Sequence, residues 1–168
     1  WGARYITPNG KRRLFGSWHH GTMANALPQA IGASAAFPDR QVISWSGDGG
    51  LGMLMGELLT IKLHQLPVKV ICFNNSSLGM VRQWQTLFYE SRYSNTDLNT
   101  GHDTVRIPDF VKLAEAYGCV GLRCERPEDL DATIEQAMAI NDRPVVIDFV
   151  VSADAMVWPM VPSGVAND

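Results

Sequence analysis

The sequence predicts an α/β domain: a doubly wound, mainly parallel sheet with helices on both faces. Three observations predict it. Short apolar runs alternate with longer segments of helical spacing, the signature of an α/β layer arrangement. The runs are near-continuous and rich in β-branched residues, as strands buried on both faces are. Two of them end in glycines or asparagines, the residues that close strands into turns.

The elements follow in order. Residues 21–37, "GTMANALPQAIGASAAF", are Ala-rich and run into the turn "PDR", which predicts a helix. "QVISWS" at 41–46 is the first strand and stops at "GDGG". Residues 53–66 carry apolar side chains at helical spacing and end before Pro67. "VKVICFN" at 68–74 is the second strand, closed by a second asparagine. The stretch 83–107 is polar, aromatic and irregular, and a loop of that length is commonly functional. Residues 108–118 open with Pro108 and close with Gly118, a helix start and stop. Residues 119–124 form a weaker strand, 127–141 a helix between Pro127 and Asn141, and 144–151 a last strand. The tail from Ser152 shows little periodicity.

The 168 residues suffice for one domain with a sizeable core. The formal net charge of −3 points away from nucleic acid and anionic membranes as partners. No apolar run approaches the roughly 20 residues that a membrane helix needs. The start, "WGARYITPNGKRR", is polar, lacks Met and does not read as a signal peptide; it reads as a cut through a larger protein. Cys72, Cys119 and Cys124 have no ligand-like spacing and are expected reduced and buried, in a cytoplasmic protein.

The chemistry concentrates at two turns. GDG at 47–49 is followed, after 24 residues, by NN at 74–75. Alone, each reads as an ordinary turn. With strand, helix and strand between them, a right-handed crossover brings both to the same edge of a parallel sheet. Open α/β sheets bind ligands at that edge. Asp48 offers a carboxylate and Asn75 a carbonyl oxygen, hard ligands suited to Mg²⁺ or Ca²⁺. Gly47, Gly49 and Gly50 allow a phosphate to approach their backbone N–H groups. Mg²⁺ held by few protein ligands commonly takes phosphate oxygens for the rest. Together the turns describe a Mg²⁺–diphosphate anchor.

The GDG–x24–NN pattern resembles the signature of thiamine-diphosphate enzymes. The resemblance covers the whole chain, as the diphosphate-binding, carboxyl-terminal domain of the acetolactate synthase and pyruvate oxidase group. Residues up to about 80, including "GSWHHGTMANALPQAIGA" and "SGDGGLGMLMGELLTIKLHQLPVKVICFNNSSLGM", resemble a bacterial pyruvate oxidase of the pyruvate:quinone type. Residues from about 79, including "GMVRQWQTLFYESRYSNTDL" and "DAMVWPMV", resemble an actinobacterial acetolactate synthase catalytic subunit. This split implies a recombined or engineered chimera, a computed sequence or a natural intermediate.

The resemblance implies roles for single residues. Asp48 and Asn75 match side-chain metal ligands, and Ser77 matches a position that contributes its backbone carbonyl. Gly49 and Gly50 match amides that face the diphosphate. Gly21 matches a backbone acceptor for the cofactor's amino group, and Met23 the apolar support under the bent cofactor. Met80 lies near the cofactor in both groups. Trp84 matches a tryptophan that shapes the pocket for a second 2-oxo acid; its plainer reading is a loop anchor. His19 and His20 are read as pocket-edge residues, and His64 and His102 as surface residues. Glu57 reads as solvated helix face. Arg82, Arg92 and Arg106 read as substrate-steering or as solvated loop residues.

The implied activity is decarboxylation of pyruvate with transfer of the two-carbon unit to a second 2-oxo acid. The pyruvate oxidase alternative passes electrons to a flavin and releases acetate. The activating glutamate and the FAD domain are expected outside this chain, so no catalytic side chain is expected within it. The isolated chain is then expected to bind Mg²⁺ and thiamine diphosphate weakly, if at all, and to be nearly inactive, and a homodimer is expected through exposed apolar surface. A non-catalytic folding unit, or a different phosphate-binding α/β domain, is the reading from another class.

Overall fold

The computed structural model describes residues 1–99, 106–161 and 164. Its centre is a sheet of four parallel strands in the order β1-β2-β4-β3. The strands are β1 (Ile43–Gly47), β2 (Lys69–Asn74), β3 (Val120–Cys124) and β4 (Val145–Val150). Three lie within the expected runs, and β1 extends one residue past its run, into Gly47. The helices are α1 (Gly2–Tyr5), α2 (Ala26–Ala36), α3 (Asp48–Met53), α4 (Glu57–Leu63), α5 (Gly79–Phe88), α6 (Phe110–Ala116) and α7 (Leu130–Ala139). A 3₁₀ turn at Pro127–Asp129 leads into α7.

Side-chain alternation along the strands divides the core in two. Val70, Cys72 and Val146 face one side and pack with Leu27 and Ala30 of α2, Leu58 and Ile61 of α4, and Phe110 and Ala114 of α6. Val145, Ile147 and Phe149 face the other side, where Ala137 of α7 covers them. The helices thus cover both faces, as a parallel sheet requires. The second face is left partly open over β1, where Ile43 and Trp45 are exposed. Trp45, Phe73 and Phe149 run across it as a row of rings with centroids 5.0 and 6.1 Å apart. The three cysteines are free and buried, as expected. Among the described residues no helix is long and apolar enough to cross a membrane.

Three expectations need correction. The helix expected over 21–37 begins only at Ala26; residues 21–25 form a loop in which Gly21 takes φ +62°. The helix expected over 53–66 is the shorter α4, and a separate helix, α3, forms before it from Asp48, where the glycines were expected to make only a turn. The stretch 83–107 is not irregular throughout, because residues 83–88 are the end of α5. Met80, Val81, Trp84, Leu87 and Phe88 do recur at helical spacing along it, but that stripe is exposed and Gln83 is the helix's one buried residue.

Candidate functional site

The register of β1 on β2 places the two motifs together. Gly47 pairs with Phe73, so Asp48 and Asn74 leave the sheet side by side at its carboxyl edge. Gly47 is the extended residue before α3, and Asp48 is that helix's first residue. Asp48 is buried, at 3% exposure. Its Oδ1 accepts a 2.9 Å hydrogen bond from the N–H of Gly49. Its Oδ2 is buried with no hydrogen-bond partner. Among the described residues it has no ion-pair partner. Burial pushes its carboxyl above the usual range; the N–H groups of Gly49 and Ser76 oppose that shift, and the charge of Asp148 adds to it. The Ser76 N–H comes from the second motif, which ties the two turns electrostatically.

The second turn is built by its own asparagines. Asn74 Oδ1 accepts from the Ser76 N–H at 3.3 Å, and Asn75 Oδ1 from the Ser77 N–H at 3.1 Å. Such local acceptance is what asparagine brings to a turn, and it supports Ser76 at φ +55°. A carbonyl oxygen has two lone pairs, so Asn75 Oδ1 keeps one for another partner. Ser77 is buried, and its hydroxyl donates to the Thr96 carbonyl at 3.1 Å. Backbone bonds Leu78 N–H to Thr96 and Leu98 N–H to Ser76 hold the 96–98 segment against this turn.

The glycines have a structural reason as well as a chemical one. A Cβ on Gly49 would stand 2.8 Å from Leu78 Cδ2, and one on Gly50 would stand 2.7 Å from the Met23 carbonyl oxygen. The backbone contact demands glycine at Gly50, whereas at Gly49 the end of the Leu78 side chain could shift to admit a Cβ. A Cβ on Gly47 would meet nothing closer than the Phe73 carbonyl oxygen at 3.8 Å. Gly47 is open to solvent, so its freedom is not a packing requirement.

Met23 lies over this edge: its Cε is 3.4 Å from the Cβ position of Gly49, and the side chain is 44% exposed. Gly21 is exposed two residues earlier, its N–H donating to the Ser17 carbonyl at 2.8 Å. α5 springs from the second turn, with Asn75 Nδ2 only 2.8 Å from the Cβ position of Gly79. Met80 and Trp84 stand one turn apart on α5, 48% and 53% exposed. Trp84 therefore sits on a helix, not in a loop. Val81, Trp84, Gln85, Tyr89, Arg92 and Ser94 line an open cavity of about 600 Å³ beside it.

Other candidates separate from the site. His19, His20 and His64 are exposed, and His102 lies outside the described residues. Glu57 accepts from the Thr60 hydroxyl at 2.7 Å within α4, a local helix-start bond. Arg92 and Arg106 are exposed. Arg82 is engaged rather than free: Asp97 lies at 3.3 Å, Asp154 at 3.0 Å and the Tyr93 ring 4.2 Å below the guanidinium. Gln83 was given no role by the sequence, because its partner, Val157, is 74 residues away.

A buried carboxylate oxygen without a donor, next to a carboxamide and a turn of carbonyls, is the donor set a hard divalent cation takes. The residues present thus fit Mg²⁺, and they contain no cluster suited to a softer metal: among the described residues no group of three His, Cys, Asp or Glu is placed to hold an ion.

Residues 1–149 match the family "Thiamine pyrophosphate enzyme, C-terminal TPP binding domain". The chain is 55% identical over 168 residues to an acetolactate synthase of Mycobacterium avium. It is 47% identical over 167 residues to the acetolactate synthase large subunit of Corynebacterium glutamicum. To the acetolactate synthase isozyme 2 large subunit of Escherichia coli K12 it is 38% identical over 167 residues. These alignments cover 99–100% of the chain but only 27%, 26% and 29% of the three relatives. The acetolactate synthase likeness thus runs through both halves of the sequence, not only from residue 79. The chain belongs to the thiamine pyrophosphate enzyme family, as its C-terminal TPP-binding domain.

Proposed function

We propose that this domain anchors Mg²⁺ and thiamine diphosphate for an acetolactate synthase reaction carried out by a longer protein. The unpartnered, buried Oδ2 of Asp48 beside the Asn74–Ser77 turn carries the reading. Asp48 and Asn75 hold the cation through side-chain oxygens and Ser77 through its carbonyl. The N–H groups of Gly47 and Gly50 receive the diphosphate, and that of Gly49 is shared between it and Asp48 Oδ1. Met23 and Met80 supply apolar surface against the rings, and the Gly21 backbone accepts from the amino group. When bound, thiamine diphosphate supplies the carbanion chemistry for decarboxylating pyruvate. Trp84 shapes the space for the second 2-oxo acid beside α5. The domain positions the cofactor and excludes water; the activating glutamate and FAD belong to the rest of the longer protein. Self-association of this chain through its exposed apolar surface is part of the same proposal.

Calorimetric titration of thiamine diphosphate tests it. Binding heat should appear with Mg²⁺, vanish with EDTA and vanish in Asp48→Ala. Heat that survives both treatments would remove Asp48 from the anchor. In the longer protein, Trp84→Leu should change the preference between competing 2-oxo acids. An unchanged preference would return Trp84 to a packing role.

A further inference from the structure

α5 is held in an unusual way. Most helices dock through an apolar stripe, which supplies most of their stability in proteins. Here the apolar side chains Met80, Val81, Trp84, Leu87 and Phe88 are exposed, and the single buried residue is Gln83, at 3%. Its carboxamide pairs with one residue of the C-terminal segment at two points. Nε2 donates to the Val157 carbonyl at 2.9 Å, and Oε1 accepts from the Val157 N–H at 2.9 Å. The preceding residue, Arg82, reaches both Asp97 and Asp154, and stacks over Tyr93.

We propose that Arg82 and Gln83 are positioning residues that clamp the segment 152–157 and the loop 93–97 to α5, and so set the face that carries Met80 and Trp84. The Gln83 pair is the stronger half. It is buried, and losing one partner would leave a polar group unsatisfied. The Arg82–Asp154 pair is the weaker half, because Asp154 is solvated. The arrangement works in both directions: the tail gains order from α5, and α5 gains from the tail the docking that its own apolar residues do not provide. The tail is irregular in sequence because its order comes from this pairing rather than from periodicity. That Met80 and Trp84 face bound ligands rests on the function proposed above. The clamp itself does not.

Hydrogen exchange of the 168-residue chain tests the clamp. Gln83→Leu should speed exchange across 79–88 on the order of tenfold, the loss of about two ordinary hydrogen bonds. Exchange in β1, β2 and β4 should stay unchanged. A chain ending at Val151 should show the same loss in α5 with Gln83 intact. That variant decides the matter if Gln83→Leu unfolds the whole domain. A third readout is local: with Trp84 as the sole tryptophan, its emission anisotropy should fall in both variants. Faster exchange in the tail alone, with α5 and Trp84 unmoved, would overturn the proposal; the tail would then rest on the helix without holding it. None of these readouts uses the cofactor, so the clamp and the anchor can fail separately.

Discussion

Asp48 and Asp148 are both buried carboxylates, at 3% and 1% exposure, and each has one oxygen that no donor meets. They differ in what meets the other oxygen. Asp148 lies within β4, in register with Cys72 on one side and Arg123 on the other. Arg123 Nε donates to its Oδ2 at 3.1 Å, and the same guanidinium reaches Asp109 at 2.7 Å. Among the described residues Asp48 is met by backbone N–H groups alone, and it stands at the sheet's carboxyl edge. A buried charge with a cationic partner belongs to the fold. One left with its charge uncompensated, at the edge where α/β sheets bind ligands, points to a partner from outside. The charge on Asp148 also sharpens the need at Asp48, since the two repel.

The largest effect should come from breaking the compensated pair. Arg123→Met leaves Asp148 buried and alone, which should cost about 2–3 kcal/mol, somewhat less than a fully buried pair because Arg123 is partly exposed. Denaturant unfolding measures it. Adding Asp148→Asn should recover part of the loss, and a cycle without coupling would refute the pairing.

A smaller effect lies at the outer end of the same chain of charges. Asp109 precedes α6 and accepts from the N–H groups of Val111 and Lys112. Asp109→Ala should cost about 1 kcal/mol, as lost N-caps do. Those N–H groups, Lys112 first, and Arg123 hold its carboxyl below the usual 3.8. A depressed carboxyl stabilises the fold above its unfolded value and loses that contribution as pH falls through the folded one. The gap between wild type and Asp109→Ala should therefore close in acid.

The smallest effect has the opposite sign. Asp48→Asn keeps the shape and removes the uncompensated charge, so it should stabilise the cofactor-free chain by about 0.5–1 kcal/mol at neutral pH. The raised carboxyl of Asp48 means that the folded state binds this proton more tightly than the unfolded state. Its contribution to stability falls as pH rises from 3.8 through the higher folded value. Melting curves across that range should show the slope in wild type and lose that component in the variant. A destabilised Asp48→Asn at neutral pH would show that the carboxylate is needed by the fold itself, and the contrast with Asp148 would collapse.

Local pattern made much of this legible. The four strands overlap their expected runs, β1 passing its run only by Gly47, because buried parallel strands have a composition that short windows detect. That the GDG and NN turns share the sheet's carboxyl edge followed from element order alone, since a parallel crossover returns the chain to the same edge. The spacing of Met80, Val81, Trp84, Leu87 and Phe88 fits an amphipathic helix, so α5 was within reach of the sequence; what the pattern misleads about is the face that docks, since the apolar stripe is exposed and Gln83 is buried. α3 was missed because it starts inside the glycine turn, where glycine content argues against a helix. Arg82 read as a free cation because its carboxylates, Asp97 and Asp154, lie 15 and 72 residues away.

The sequence by itself determined the α/β class, the strand edges and the pairing of GDG with NN, all of which rest on periodicity and on interactions within one crossover. Tertiary structure decided what those residues face. It buried Asp48 without a cation, closed Gly49 and Gly50 against Leu78 and Met23, and tied α5 to a tail 74 residues on through Gln83 and Val157. These outcomes depend on contacts between segments distant in the chain, and no local pattern of residues encodes which distant group will arrive.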